Sequence, residues 1–386
     1  MTRRTKTGLR LAVISDAAPG RNGVGAYYQD LMGHLEPRLQ ALEVFSPRLV
    51  GNRWDCGLAL PLPGDRTQKL CLPNPARLAR ELRELNPHLI IVATPGPYGL
   101  LGAFVAQRLG CPVLVGFHTA FEQLTKLYWQ SSWRGQAVYK LFQWSHQYLF
   151  RRAQSVLANS QEMLDLAHRM GARHSRLIGT PLSRDFALAP ASRYQGKLDK
   201  VLFAGRLAAE KNLDAVLDAA QRLPEWQFSI AGDGPLRGHM EAAAARLPNL
   251  RVLGWLNREQ LRAEVDAHHA LLLPSHFESF GTIALEVMAR GRLVVVSRGC
   301  GIAEWSSLCA GLSVIEPGAR AVDVLHDLAR LAPSQRSQQA LQARGLALAL
   351  HNRCIEHWQQ LLHSALNTDS DLPQLDPMAL SSSNSD

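Results

Sequence analysis

Two carboxylates, Glu278 and Glu286, stand in the segment Pro274-Ser-His-Phe-Glu278-Ser-Phe-Gly-Thr-Ile-Ala-Leu-Glu286 of this 386-residue chain. Ahead of them an apolar run, Leu271 to Leu273, reads as a strand entering a Pro/Ser turn. The first carboxylate then falls in the loop and the second in the helix that follows. Carboxylates accept hydrogen bonds and offer no donor, so the pair suits a ligand rich in hydroxyl groups. The backbone N–H groups of Phe280, Gly281 and Thr282 open that helix and lack partners within it, which makes an anion site beside the two acceptors.

A second constellation lies upstream, in Val201-Leu-Phe-Ala-Gly205-Arg206-Leu-Ala-Ala-Glu-Lys211-Asn212. Arg206 ends a strand and Lys211 lies in the following loop, so both cations can converge on one anion. A planar fork and a compact point charge together suit a diphosphate. Taken alone, the pair has the lesser alternative of being two solvated surface cations. The turn Ile230-Ala-Gly232-Asp233-Gly234-Pro235 also follows a strand; it either lets backbone approach a ligand or is an ordinary tight turn. Phe117-His118-Thr119 ends the apolar run from Cys111. An imidazole there, facing a cleft, could orient a substrate hydroxyl near neutral pH, whereas a lone histidine also fits a satisfied structural role.

These residues need strands and loops to position them. Leu11–Ser15, Leu42–Phe45, Leu89–Ala93, Val113–Phe117 and Val156–Asn159 read as strands, with helices between them. The second half repeats the rhythm with Val201–Ala204, Phe228–Ala231, Val252–Gly254, Ala270–Leu273, Leu293–Ser297 and Leu312–Ile315. Such alternation predicts an α/β protein of two doubly wound, mainly parallel domains, with ligands at the strand C-terminal ends in the cleft between them. The domains expected are residues 1–190 and 199–350, separated at the polar segment Ala187–Lys200. A helix over 351–366, packing back on the first domain, and a disordered tail over 367–386 complete the chain.

Composition narrows the classes. A hydrophobic content of 46% with 19% charged residues fits a folded globular chain. The six cysteines form no CxxC pair and no metal-ligand spacing, which points to reduced thiols and no metal. The basic residues 1–10 lead straight into a strand and do not read as a signal peptide. Leu89–Gln107 is uncharged, but Pro95-Gly96-Pro97 breaks it into strand, loop and helix rather than a membrane span. The glycines 20, 23 and 25 lack dinucleotide-fingerprint spacing, and no GxxxxGK[ST] occurs, so a dehydrogenase and a P-loop enzyme are disfavoured.

Charge is uneven: residues 1–190 carry 23 basic and 12 acidic residues, a net of +11, and the remainder 19 and 21, a net of −2. A basic first half fits an anionic membrane, an acidic substrate or nucleic acid, or is a solvated face. Within it, Tyr128, Trp129, Trp133, Tyr139, Phe142, Trp144, Tyr148 and Phe150 interleave with Lys126, Arg134, Lys140, Arg151 and Arg152. This stretch reads as a membrane-interface segment or as core-facing aromatics of an amphipathic helix. No nucleic-acid-binding module accompanies it.

Together these residues resemble glycosyltransferase family 4, of the GT-B fold. Asn22-Gly23-Val24-Gly25 is similar to its N-terminal glycine loop, Phe117-His118-Thr119 to its cleft histidine, and Ala158-Asn159-Ser160 to its interior strand end. Gly205-Arg206, Glu210-Lys211 and the ordered pair Glu278/Glu286 complete the pattern. The run from Thr94 through His118-Thr-Ala-Phe resembles the branch that glycosylates diacylglycerol and other lipids. Thr180-Pro181-Leu182 and Arg290-Gly291-Arg292-Leu293 depart from the family's usual residues. The resemblance implies two Rossmann-like domains facing each other across a cleft, the first for the acceptor and the second for the nucleotide-sugar. It implies a retaining, metal-independent transfer of a hexosyl unit from a UDP- or GDP-sugar to a membrane lipid, without a cofactor. In that scheme His118 and Glu278 act at the reacting sugar. Gly23, Arg206, Lys211, Phe280, Gly281, Thr282 and Glu286 bind substrate, with Glu286 on the ribose. The expected place is the cytoplasmic inner face of the membrane. A soluble sugar, polysaccharide or lipopolysaccharide acceptor is the alternative, as is a non-catalytic sugar-nucleotide-binding protein.

Overall fold

A computed structural model describes residues 8–17, 23–50, 53–62, 65–118, 133–191 and 194–367. Gly20, Asn22, Thr119, Lys126, Tyr128, Trp129 and the expected disordered tail beyond Asn367 lie outside the described residues. The chain divides into two compact units, the first running to Pro181 and taking in the segment from Arg353, the second running from Leu182 to Asn352.

In the first unit, β1 (Arg10–Ile14) and β2 (Ala41–Phe45) precede two antiparallel ribbons. These pair β3 (Arg48–Val50) with β4 (Arg53–Asp55), and β5 (Leu58–Leu62) with β6 (Asp65–Leu72). Then come β7 (Leu89–Val92), β8 (Val113–Gly116), β9 (Ser155–Ala158) and β10 (Ser175–Leu177). The main sheet has the order β10-β9-β8-β7-β1-β2, with every pair parallel. A parallel sheet covered on both faces needs strands apolar throughout, and Leu89-Ile-Ile-Val92 is fully buried. Trp358, from the terminal segment, enters this unit's core beside Leu31 and Leu35 and donates its indole N–H to Tyr27 Oη at 3.1 Å. An indole is buried at little cost when its N–H finds such an acceptor.

The second unit carries β11 (Lys200–Ala204), β12 (Gln227–Ala231), β13 (Leu250–Gly254), β14 (Ala270–Leu273), β15 (Leu293–Ser297) and β16 (Ser313–Ile315). Its sheet runs β13-β12-β11-β14-β15-β16, all parallel. The order reverses between β11 and β14, so the loops leaving these neighbours turn to opposite sides and open a crevice at their C-terminal ends. The corresponding reversal in the first unit lies between β1 and β7.

The eleven strands expected from sequence are present to within about two residues, the usual uncertainty of an element's end. Strands β3 to β6 and β10 were not foreseen. They are short or interrupted by Pro61 and polar residues, and what makes them strands is their pairing partner rather than local pattern. Among the described residues, no helix is long and apolar enough to cross a membrane.

Candidate functional site

The crevice of the second unit is built from glycine contacts. Where β11 ends, Gly205 N–H donates to Ala231 O at 3.0 Å, and Leu207 N–H to Asp233 O at 3.0 Å. The loop after β12 is thereby laced to the loop that carries Arg206. A Cβ on Gly232 would lie 1.9 Å from Gly205 O, so only glycine lets these backbones meet. The chain then makes a short 3-10 turn, Ala209–Lys211, and Asn212 takes a left-handed conformation at φ 49°. Its side-chain amide donates to Pro274 O at 3.1 Å, while His276 N–H donates to Glu210 O at 2.8 Å. The loops after β11 and β14 are therefore fixed to one another, and this brings Lys211 to Glu278.

Lys211 Nζ forms an ion pair with the Glu278 carboxylate, both side chains being largely buried. The backbone of Glu278 is held by a third loop, after β15: its N–H donates to Gly299 O at 3.0 Å and its C=O accepts from Gly301 N–H at 2.8 Å. Side chains at 299 or 301 would strike His276 O or Ser279 O at 2.3 and 2.2 Å. Gly281 then adopts φ 94° and opens the helix Thr282–Ala289 with no side-chain cap. The N–H groups of Phe280, Gly281 and Thr282 donate to no described residue, as the sequence implied. The Phe280 ring is buried edge-on against Trp305, which fixes the approach to the helix.

Glu286 lies one turn further and is almost fully buried. Burial pushes its carboxyl above the usual range, and the guanidinium of Arg258, with which it forms an ion pair, opposes that rise. Arg206 stands 3.8 Å from Glu210 and keeps 28% of its side chain exposed. Each carboxylate singled out in the sequence is thus matched with a cation, while the helix N-terminus is left as an anion site.

His118 occupies a different setting from the one expected. It is 8% exposed, with its ring 4.7 Å from Tyr27 and its Nε2 3.1 Å from Tyr28 Oη. Burial lowers its pKa to about 4, so the imidazole is neutral at pH 7 and does not titrate near neutrality. It can donate or accept a hydrogen bond without carrying charge. Gly23 is the first residue of the helix Gly23–Leu35, and a Cβ there would meet nothing within 4 Å, so crowding does not explain that glycine.

Five contributors were not singled out in the sequence. Arg258 opens a helix twenty-eight residues before Glu286, and nothing local marks it as a partner. Gly299 and Gly301 could have been flagged as glycines following an apolar strand. Tyr28 lies on the helix Gly23–Leu35, and nothing local marks it as a partner of His118. Asp16 follows β1 and accepts from Tyr98 N–H at 2.8 Å and Thr94 Oγ1–H at 2.7 Å, capping the helix Pro97–Leu109. A carboxylate thus already fills the helix N-terminus at the first unit's reversal point, and the second unit's helix at the matching place has none.

Comparison with known proteins adds to this geometry. Residues 22–182 match the family model described as glycosyl transferase 4-like domain, and residues 199–331 that of glycosyl transferases group 1. A sulfoquinovosyl transferase of Arabidopsis thaliana is 25% identical over 67% of this chain and 51% of its own length. An α-D-kanosaminyltransferase of Streptomyces kanamyceticus is 25% identical over 50% of the chain and 54% of its own length. The chain thus spans about half the length of these two relatives. A GDP-mannose-dependent α-mannosyltransferase of Mycolicibacterium smegmatis is 28% identical over 74% of the chain and 79% of its own length. Among solved structures, sucrose-phosphate synthase from Thermosynechococcus elongatus aligns with a TM-score of 0.74 at 16% identity, covering 93% of this chain and 99% of that one. The Anabaena protein HepE, in complex with UDP and glucose, aligns at 0.67 and 18% identity, over 92% and 100%.

Proposed function

The chain belongs to the nucleotide-sugar glycosyltransferases of GT-B fold, and from that premise we propose that it transfers a hexosyl unit from a UDP- or GDP-sugar to the hydroxyl of a membrane lipid such as diacylglycerol, with retention at the anomeric carbon and without a metal ion. The observation that carries this reading is the grouping of Lys211, Glu278 and three unspent N–H groups at the sheet reversal of the second unit. A diphosphate placed at the helix N-terminus meets these N–H groups and the cations Arg206 and Lys211. The sugar then lies toward Glu278 and the ribose toward Glu286.

As the anomeric C–O bond breaks, its electron pair passes to the departing phosphate oxygen. Charge there grows, so Lys211, Arg206 and the N–H groups bind the transition state more tightly than the ground state. When Lys211 turns to the diphosphate, Glu278 is released to accept hydrogen bonds from sugar hydroxyls. The acceptor oxygen bonds to the anomeric carbon from the face the phosphate leaves, and its proton goes to that phosphate. Neutral His118 of the first unit is a hydrogen-bond partner for a hydroxyl of the acceptor.

Support for a lipid acceptor comes from the first unit's surface. On the helix Trp133–Phe150, Leu141 is 56% and Trp144 55% exposed, and the Arg152 guanidinium lies 3.8 Å over the Tyr148 ring. Exposed Phe104, with Arg108 over its ring, lies on the neighbouring helix Pro97–Leu109. Apolar side chains flanked by guanidinium groups fit an anionic interface, which supports the proposed peripheral position on the inner face of the membrane. The test is transfer from UDP- and GDP-hexoses to vesicles of diacylglycerol and anionic phospholipid, with products identified by mass spectrometry. A glycosylated lipid, lost in Glu278→Gln while UDP or GDP binding persists, is expected. Transfer only to soluble glycans would overturn the lipid acceptor, and no transfer from any hexose would overturn the donor reading.

A further inference from the structure

The catalytic proposal leaves the cation paired with a buried carboxylate without a task. Arg258 is the first residue of the helix Arg258–Ala267, which follows the edge strand β13. Its place is fixed by a capping box: Asn257 Oδ1 accepts from Gln260 N–H at 2.9 Å, and Gln260 Oε1 accepts from Asn257 N–H at 3.0 Å. From there the guanidinium reaches Glu286, which belongs to the helix after β14, and pairs with a carboxylate whose side chain is only 4% exposed. Arg258 itself keeps 29% of its side chain exposed.

A carboxylate so buried is costly to ionise without a partner, and the alternative is that it takes up a proton. A protonated carboxyl presents a donor where two ribose hydroxyls, each bringing a hydrogen, require acceptors. A guanidinium hydrogen-bonded to the carboxylate maintains the acceptor-only form and fixes the plane of its two oxygens. The exposed remainder of Arg258 leaves this partner open to solvent, while Glu286 itself is almost fully enclosed.

We infer that Arg258 is a positioning residue for the donor's ribose, holding Glu286 as an oriented, ionised acceptor for the vicinal hydroxyls of a nucleoside diphosphate. This rests on the proposed reading of the second unit as the donor site. Among the described residues, Arg258 is the charged group that offsets the rise in the Glu286 pKa caused by burial.

The experiment is calorimetric titration of UDP, GDP and inorganic pyrophosphate into the full chain, its variants R258A, R258K and E286Q, and the double variant R258A/E286Q. Wild type should bind UDP or GDP. In R258A that affinity should fall about tenfold or more, the size expected for a charged hydrogen bond, while pyrophosphate, which has no ribose, binds as before. R258K should recover most of the loss. In E286Q, a further change of Arg258 to Ala should cost little, because the amide needs no counter-charge. In transfer assays the donor KM should rise in R258A with kcat nearly unchanged. Should R258A lack a cooperative thermal transition, R258Q, which keeps an amide donor, takes its place in the comparison. UDP and GDP affinity unaltered in R258A, equal losses for pyrophosphate and nucleotide, or additive losses in the double variant would overturn the inference while leaving the donor site intact. A wild-type chain that binds neither UDP nor GDP would overturn the donor reading itself.

Discussion

Substituting Gly232 by alanine tests whether the cations of the donor crevice are positioned by backbone contact. A Cβ at 232 would stand 1.9 Å from Gly205 O, where ordinary contact begins at 3.4 Å, and the residue sits at φ 141°, a region side chains rarely adopt. Relieving the clash requires one loop to retreat by about 1.5 Å, and misplacement of catalytic groups on the order of 1 Å costs roughly a hundredfold in rate. Because Gly205 precedes Arg206, and Leu207 N–H is bonded to Asp233 O, the retreat displaces Arg206. Overpacking and the unfavourable φ together cost a few kcal/mol, which lowers Tm by roughly 5–15 °C for a unit of this size. Transfer measured well below that Tm should show kcat/KM reduced about a hundredfold. Gly238→Ala is the control: its Cβ would meet nothing within 4 Å, and it lies in the helix Arg237–Ala244, where alanine is preferred. Wild-type kcat/KM in Gly232→Ala would refute the claim that this contact sets the position of Arg206.

Three further outcomes follow from the first unit. Tyr28→Phe removes the 3.1 Å contact to His118 Nε2 and should reduce kcat about three- to tenfold with donor KM unchanged; an unaltered kcat would mean that other contacts orient the imidazole. His118 and His146, both buried, are each held near a pKa of about 4, so the unfolded chain takes up protons that the folded chain refuses as pH falls from 6.5 toward 4. Their stabilisation is present above pH 6.5 and lost below it, by about 2 kcal/mol for each at pH 5. Asp16, raised to about 6, acts in the opposite sense in the same window, but one partly exposed carboxyl does not offset two buried imidazoles. Tm should therefore be lower at pH 5 than at pH 7, and His146→Phe should flatten the difference; equal Tm at both values would contradict the assignment. Replacing Leu141 and Trp144 together by serine should weaken sedimentation with anionic vesicles at least tenfold, since each exposed side chain stands to bury an apolar surface of about 1.5–3 kcal/mol. Undiminished binding would remove this face from the membrane contact.

How much of this was legible in the sequence depends on the range of the interaction concerned. Glu278, the helix opening at Phe280 to Thr282 and the Arg206/Lys211 loop are read from local order: apolar strand, turn, then helix. Strand termini and helix starts are local physics, so the parallel sheets and their functional ends were legible too. The pairing of Lys211 with Glu278 was not, because it depends on which loops the reversed strand order brings side by side. His118 was identified by position and misjudged in character. Its place at a strand end is written in Val113–Gly116, but its neutrality comes from Tyr27 and Tyr28, ninety residues away.

Arg290 shows the same limit from the opposite side. In the sequence Arg290-Gly291-Arg292 is a departure from the resembled pattern and gives no hint of burial, since two arginines beside a glycine read as surface. In the fold Arg290 is 2% exposed, with Nε and Nη2 on the two oxygens of Asp266 at 2.8 and 2.6 Å. Its remaining donors reach Ala189 O at 2.7 Å and Pro190 O at 2.6 Å. A guanidinium buried with its donors so engaged is held, whereas loss of any one partner would leave a costly buried charge. Arg290 follows directly on the helix Thr282–Ala289, so this cluster anchors the end opposite the anion site. A helix of eight residues has few hydrogen bonds of its own to keep its axis in place. With Gly281 and Phe280 fixed at one end and Arg290 at the other, Glu286 is held between two anchored termini, and Arg258 need fix only its carboxylate.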